Sequence, residues 1–277
     1  MTQAALPAQA LPALFISHGA PLFAVEPGQS GPALRRLGTS LEQAVGVPLR
    51  GVVIMSPHWM ARTPAVMTNA APPTWHDFGG FPAELYQLRY PAPGSPELGQ
   101  EVIGLLRAAG IEAQADAERP LDHGAWVPLM HLLPKADVPV VQVALPQRAG
   151  PAEVMALGQA LSSLRESGVL LIGSGSMTHN LSEFFGGERE PAPYVVEFSR
   201  WVESAVERGD VQALLDYRQR APHASRAHPS EDHFLPLFFA LGAGGWGSGS
   251  GARPEYVSRE VMYGMLAMDS FALRPAV

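Results

Sequence analysis

The sequence predicts a single α/β domain: a central, largely parallel or mixed sheet flanked by helices, with its functional centre at the carboxyl ends of the strands. Three observations lead there. Short apolar runs rich in Val and Ile recur along the chain and read as strands buried on both faces. Segments with helical spacing alternate with them, the pattern of a layered α/β fold. No internal repeat or composition break divides the 277 residues, so one catalytic domain of 1–277, with a core of about 11–273, is expected.

The elements follow in order. Leu11 to Ile16 is an apolar strand that runs into Ser17-His18-Gly19. Pro32 to Ala44 carries Leu34, Leu37 and Leu41 at helical spacing, and Gly51 to Met55 leads into Ser56-Pro57-His58-Trp59, which completes a βαβ unit. From Pro64 to Pro93 the texture turns to Pro, Gly and aromatics; a loop this long inside a domain is expected to form a wall or lid of a site. Ser95 and Pro96 open a helix that ends at Gly110. Asp122-His123-Gly124 leads into a short apolar helix, Val138 to Leu145 reads as a strand, and Pro151 to Ser167 is amphipathic. Gly168 to Ile172 is again a buried strand, followed by the small-residue run Gly173 to Thr178 and then His179. Pro193 to Gly209 and Val211 to Tyr217 are helical, a polar loop holds His223, His228 and His233, and Phe234 to Leu241 is apolar all round and expected to be buried. Gly242 to Gly251 is a flexible Gly/Ser-rich loop, and Tyr256 to Leu273 is expected to supply an edge strand.

Composition narrows the function. Twenty-six acidic against nineteen basic residues give a net charge of −7, without a basic cluster that would neutralise a phosphate backbone, which argues against nucleic acid as a partner. There is no cysteine, which excludes disulfides, thiolate nucleophiles and Cys-based metal sites. Any metal rests on His, Asp or Glu. Met1 to Ala10 has no basic start, and no run reaches the roughly 18 apolar residues of a membrane span; a cytoplasmic location with no membrane partner is expected. Oligomeric state leaves no mark.

His18, His58, His123, His179 and His233 each follow an apolar element, and residues offered from several strand ends meet in the crevice beyond them. Neutral imidazole is the commonest metal ligand. Imidazole and carboxylate donors suit Fe(II), Mn(II) or Zn(II). A three-His site with an open face would admit a chelating substrate and dioxygen on Fe(II), or activate water for hydrolysis on Zn(II). Asp122 and Asn180 adjoin candidate histidines and either orient their rings or cap local turns. His131 reads as packing, and Trp59, Trp75 and Phe81 as aromatics available to line a pocket.

The same residues carry a resemblance. Ser17-His18-Gly19-Ala20-Pro21, Ser56-Pro57-His58-Trp59, Asp77-Phe78 with Gly80-Phe81-Pro82, Tyr90-Pro91-Ala92-Pro93-Gly94, Asp122-His123-Gly124-Ala125-Trp126, Thr178-His179-Asn180, and His228-Pro229 with His233 resemble the DODA-type extradiol aromatic ring-opening dioxygenases. These form the 4,5-DOPA dioxygenase-like branch of the LigB-like class III superfamily. The resemblance implies a non-haem metal centre that opens the ring of a catechol such as DOPA with dioxygen. It implies His18, His58 and His233 as metal ligands, with Glu231 a rival for the third place. His179 is implied as acid/base and as a fourth ligand when Zn(II) fills the site, and His123 as the second catalytic histidine. Phe81, Trp59 and His228 are expected to contact substrate. Fe(II) is expected for activity, and Zn(II) competes for the same donors. Two other readings fit the same pocket: a zinc-dependent hydrolase, and a binding protein like the Memo family, which has a similar fold.

Overall fold

A computed structural model of the chain describes residues 10–44, 49–184, 189–247 and 252–274. The first nine residues, read above for a targeting signal, and residues 248–251 of the Gly/Ser-rich loop lie outside the described residues. In chain order the strands and helices are β1 (Ala13–Ser17), α1 (Ser30–Ala44), β2 (Gly51–Ala61), β3 (Ala65–Met67), α2 (Pro96–Ala108), β4 (Gln114–Asp116), α3 (His123–Leu132), β5 (Val140–Pro146), α4 (Pro151–Leu161) and β6 (Val169–Gly175). They continue with α5 (Pro193–Arg208), α6 (Val211–Leu215), α7 (Tyr217–Arg220), α8 (Ala224–Ala227), α9 (Pro236–Ala243), β7 (Arg253–Ser258), β8 (Val261–Met262), β9 (Leu266–Ala267) and β10 (Ser270–Arg274).

Eight strands form one sheet in the order β4-β3-β5-β2-β6-β1-β10-β7. The four central strands, β5, β2, β6 and β1, run parallel, and the flanks turn antiparallel where β10 meets β1 and β3 meets β5. Every residue of β1 and β6 is buried, as expected of strands covered by helices on both faces. The carboxyl ends of β1, β2 and β6 therefore open on one edge of the sheet. The expected carboxyl-terminal edge strand is two strands: β7 is the edge, and β10 lies inside it against β1.

Helix α9 is buried at every position and lies close against the sheet and α4. A Cβ on Gly173 of β6 would stand 1.9 Å from the Pro236 carbonyl oxygen, and one on Gly158 of α4 would stand 2.1 Å from that of Phe239. These two glycines set the spacing of three layers, because no side chain fits between the backbones. Ser95 caps α2 by accepting from the Leu98 N–H at 3.1 Å, and Asp122 caps α3 by accepting from Ala125 N–H at 3.2 Å. Among the described residues no helix is long and apolar enough to cross a membrane.

Candidate metal centre and active-site cavity

The strand ends deliver the histidines in different ways. His18 directly follows β1, and its backbone N–H still pairs with Gly175 O at 2.9 Å. His58 lies within β2 rather than at its end: the pairing with β5 shifts between Ser56 and Met60. Pro57 explains this, since it has no N–H for the ladder and in a central strand is tolerated at a bulge. Ser56 Oγ takes up the His58 N–H at 3.3 Å. His179 ends the loop after β6, His123 is the first residue of α3, and His233 lies in the turn before α9.

These five imidazoles converge. Nitrogen donors of His18, His58 and His123 all lie within 4.8 Å of one another. The His233 ring is 5.5 Å from that of His18 and 5.0 Å from that of His58, and it stacks on His179 at 3.6 Å with the planes 3° apart. The tightest donor group thus contains His123, with His233 beside it.

Neighbours set which ring nitrogen is free. Ser174 Oγ donates to Gly124 O at 2.5 Å, so its lone pair receives His18 Nδ1–H at 3.0 Å. Gly124 O is available because residue 128, four positions on in α3, is proline and lacks the N–H that would claim it. His123 donates Nδ1–H to Asp77 Oδ1 at 2.9 Å, and His233 donates Nδ1–H to Asp232 Oδ2 at 2.5 Å. In all three rings the Nε2 lone pair is left for a ligand, the carboxylate or hydroxyl to histidine arrangement that orients metal-binding imidazoles. His18 Nε2 and His58 Nε2 are 3.2 Å apart, close to the roughly 3.3 Å edge of a tetrahedron with Zn–N bonds of about 2.0–2.1 Å. The donor set fits a divalent metal.

The electrostatics agree. Burial, then the neighbouring imidazoles, holds His18 well below the ordinary 6.5. Burial and His123 bring His58 down to about 4. Burial is the chief cause of the lowered values of His179 and His233. Neutral rings are ready to ligate a cation or accept a proton. Burial pushes the Asp77 carboxyl up, but the hydrogen bonds and charge of His123 prevail and hold it below its usual value.

A cavity of about 350 Å³ opens over the centre. Four of the histidines, His58, His123, His179 and His233, form its floor, and Pro21, Phe78, Phe81, Leu181, Phe184 and Leu266 form its walls. Phe78 stands edge-on to His123 at 5.6 Å and packs against Phe81 at 5.4 Å. The segment from Pro64 to Pro93, expected as one long loop, holds β3 near its start, and the stretch beyond it supplies Phe78 and Phe81 to this wall.

Two of the three expected substrate contacts need correction. Phe81 lines the cavity, but Trp59 does not: it is buried beneath the Arg119 guanidinium, 4.8 Å from the ring centre. Arg119 in turn donates to His58 O at 3.2 Å and to Asp122 at 2.7 Å. His228 is fully buried behind the site, donating Nε2–H to Met177 O at 2.9 Å, with its basicity pushed down to about 3 chiefly by burial. A polar sequence context misplaced it, since its ring packs between Phe198 and Phe234. Glu231 is turned away into a 2.8 Å ion pair with Arg218. Asp122 and Asn180 act as caps, the latter accepting from Ser182 N–H. The residues that orient the rings, Ser174, Asp77 and Asp232, lie elsewhere. The pairing of Asp77 with His123 spans 46 residues and leaves no local spacing to read; the Asp77-Phe78 motif was its only trace.

Comparison with known proteins matches this arrangement. The family described as the catalytic LigB subunit of aromatic ring-opening dioxygenase matches residues 12–267. A protein of Beta vulgaris named 4,5-DOPA dioxygenase extradiol is 40% identical over 93% of this chain and 94% of its own length. One of the same name from Escherichia coli K12 is 35% identical over 84% and 85%. A crystal structure of an uncharacterized protein from Escherichia coli K12 superposes with a TM-score of 0.76 at 27% identity, covering 95% of this chain and 99% of that one. A match that spans the cavity, its floor of histidines and the strands beneath them leaves one conclusion: the chain belongs to the LigB family of aromatic ring-opening dioxygenases, which are metal-dependent extradiol enzymes.

Proposed function

We propose that the protein opens the ring of a catechol beside its two hydroxyls, with Fe(II) held by His18, His58 and His233. The observation that carries this reading is the convergence of the His18, His58 and His233 rings, their centres within 5.5 Å of one another at the base of an aromatic cavity, with the Nε2 lone pairs of His18 and His233 fixed by Ser174 and Asp232. Bound Fe(II) would hold the catechol oxygens and supply the redox couple through which dioxygen reacts with the ring. DOPA, the catechol in the relatives' names, is the first substrate to try. Family membership and the relatives' names favour this over a zinc hydrolase or a binding protein.

The chain's own residues divide the remaining work. His179, neutral through burial, takes a proton from the catechol hydroxyl at its ring nitrogen and returns one later, a role typically worth about 10²–10⁴-fold in rate. His123, with its Nδ1–H committed to Asp77, accepts at Nε2 from a hydroxyl of the substrate, beside Phe78 of the cavity wall. Asp77, fixed to both its backbone and ring N–H groups, holds that orientation. Phe78 and Phe81 align the substrate ring and keep water away.

Oxygen uptake tests the reading. Protein stripped of metal and reloaded anaerobically with Fe(II) is expected to consume dioxygen with catechols, DOPA among them, while Zn(II)-loaded protein does not. No uptake despite bound Fe(II) would overturn it. Metal content tests the ligand set: His233→Ala is expected to lose metal, with His123→Ala and Glu231→Ala retaining it but only the latter keeping turnover.

A further inference from the structure

The cavity walls point to a kind of catechol. Among the described residues that line it there is no Lys, Arg, Asp or Glu. The arginines on the loops that hold the histidines are already engaged. Arg119 pairs with Asp122 at 2.7 Å, Arg218 with Glu231 at 2.8 Å and Arg226 with Glu183 at 2.7 Å. At the mouth, by contrast, apolar surface faces water: Leu181 is 62% exposed and Phe184 36%. Both residues also line the cavity, so among the described residues an apolar wall extends from the histidines to the rim.

We infer that this enzyme prefers catechols whose ring substituent is uncharged and apolar over those carrying a carboxylate, with Leu181 and Phe184 as the residues that read the substituent. The inference rests on the catechol reading above. A carboxylate on the ring's side chain would lose water on entry and meet no Lys or Arg among the described lining residues in return. An alkyl substituent would cover Leu181 and Phe184, and each buried methylene is worth about fourfold in binding. The zwitterionic side chain of DOPA is therefore handicapped at this mouth.

Three ring substituents decide the matter: propylcatechol, dihydrocaffeate and DOPA. For the Fe(II)-loaded enzyme, kcat/KM for propylcatechol is expected to exceed that for dihydrocaffeate and DOPA by about tenfold or more. Leu181→Arg, at a position exposed enough to tolerate it, is expected to narrow the ratio of propylcatechol to dihydrocaffeate about fivefold by offering the missing cation. Calorimetric titration of Zn(II)-loaded protein with the same compounds is expected to show the same ranking without turnover. Equal or better use of dihydrocaffeate or DOPA, with tight binding of either, would overturn the inference while leaving ring cleavage intact. If no compound were cleaved, the catechol reading itself would fall, and the calorimetric ranking would still decide whether the mouth selects against charge.

Discussion

At the scale of single residues, the centre works through hydrogen bonds one step behind the imidazoles. Ser174 is the least conspicuous of these. Its hydroxyl spends its proton on Gly124 O and so can only accept from His18, which forces the His18 proton onto Nδ1. Ser174→Ala is expected to weaken metal binding about ten- to hundredfold, measured by competition with a chromophoric chelator; unchanged affinity would show that His18 needs no such support. The histidines themselves were legible in the sequence because His18, His58 and His179 come just after apolar strand runs and His123 and His233 stand just ahead of apolar helical ones. Ser174 was not, because it occupies an inward position of a buried strand where Ser reads as filler. His228 misled for the opposite reason: Arg226, Pro229 and Ser230 beside it suggest solvent, while the fold turns its ring inward.

At the scale of elements, irregularities in otherwise regular structure build the site. Pro57 breaks the β2 ladder and presents His58; Pro128 inside α3 frees the carbonyl that anchors Ser174. Asp122 ties α3 to the sheet: it caps the helix and accepts 2.7 Å bonds from both Arg119 and Gln142 while fully buried. Asp122→Ala is expected to cost about 3–5 kcal/mol, since it strands a buried guanidinium as well as removing a cap. Chemical denaturation checks this, and a loss below about 1 kcal/mol would contradict it. Gly158→Ala is expected to cost about 1–3 kcal/mol by forcing α4 off α9. Alternation of strands and helices, and the cap at Ser95, could be read directly from residue types, while Asp122 read equally as a cap or as a support for a histidine ring. The split of the carboxyl-terminal segment into β7 and β10 could not, because β10 is placed by pairing with β1, more than 200 residues away, and β7 is placed in turn by β10.

At the scale of the whole molecule, buried titratable groups set the response to pH. Six histidines, His18, His58, His131, His179, His228 and His233, have lowered basicity, burial being the first cause in each. The unfolded chain takes up protons on them first as pH falls below 6.5, so the metal-free protein is expected to lose stability between about pH 6.5 and pH 4. Asp269 opposes this. Burial, then Glu203, raises its carboxyl to about 7 from an ordinary 3.8; the folded state keeps a proton that the unfolded chain releases, so its contribution shrinks as pH rises from about 4 to 7. Melting temperatures of Asp269→Asn relative to wild type are therefore expected to rise across that interval. A constant difference would contradict the sign.

The family, the cluster of five histidines and the aromatic wall all point to one reaction outcome, the insertion of both atoms of dioxygen into an opened catechol ring. The most direct measurement is the mass of the product formed by Fe(II)-loaded protein from a catechol under isotope-labelled dioxygen. Addition of two oxygen atoms, with label from the gas and one dioxygen consumed per catechol, is the expected result. A product that gains only the elements of water, or a catechol recovered unchanged from protein that holds Fe(II), would contradict the central claim.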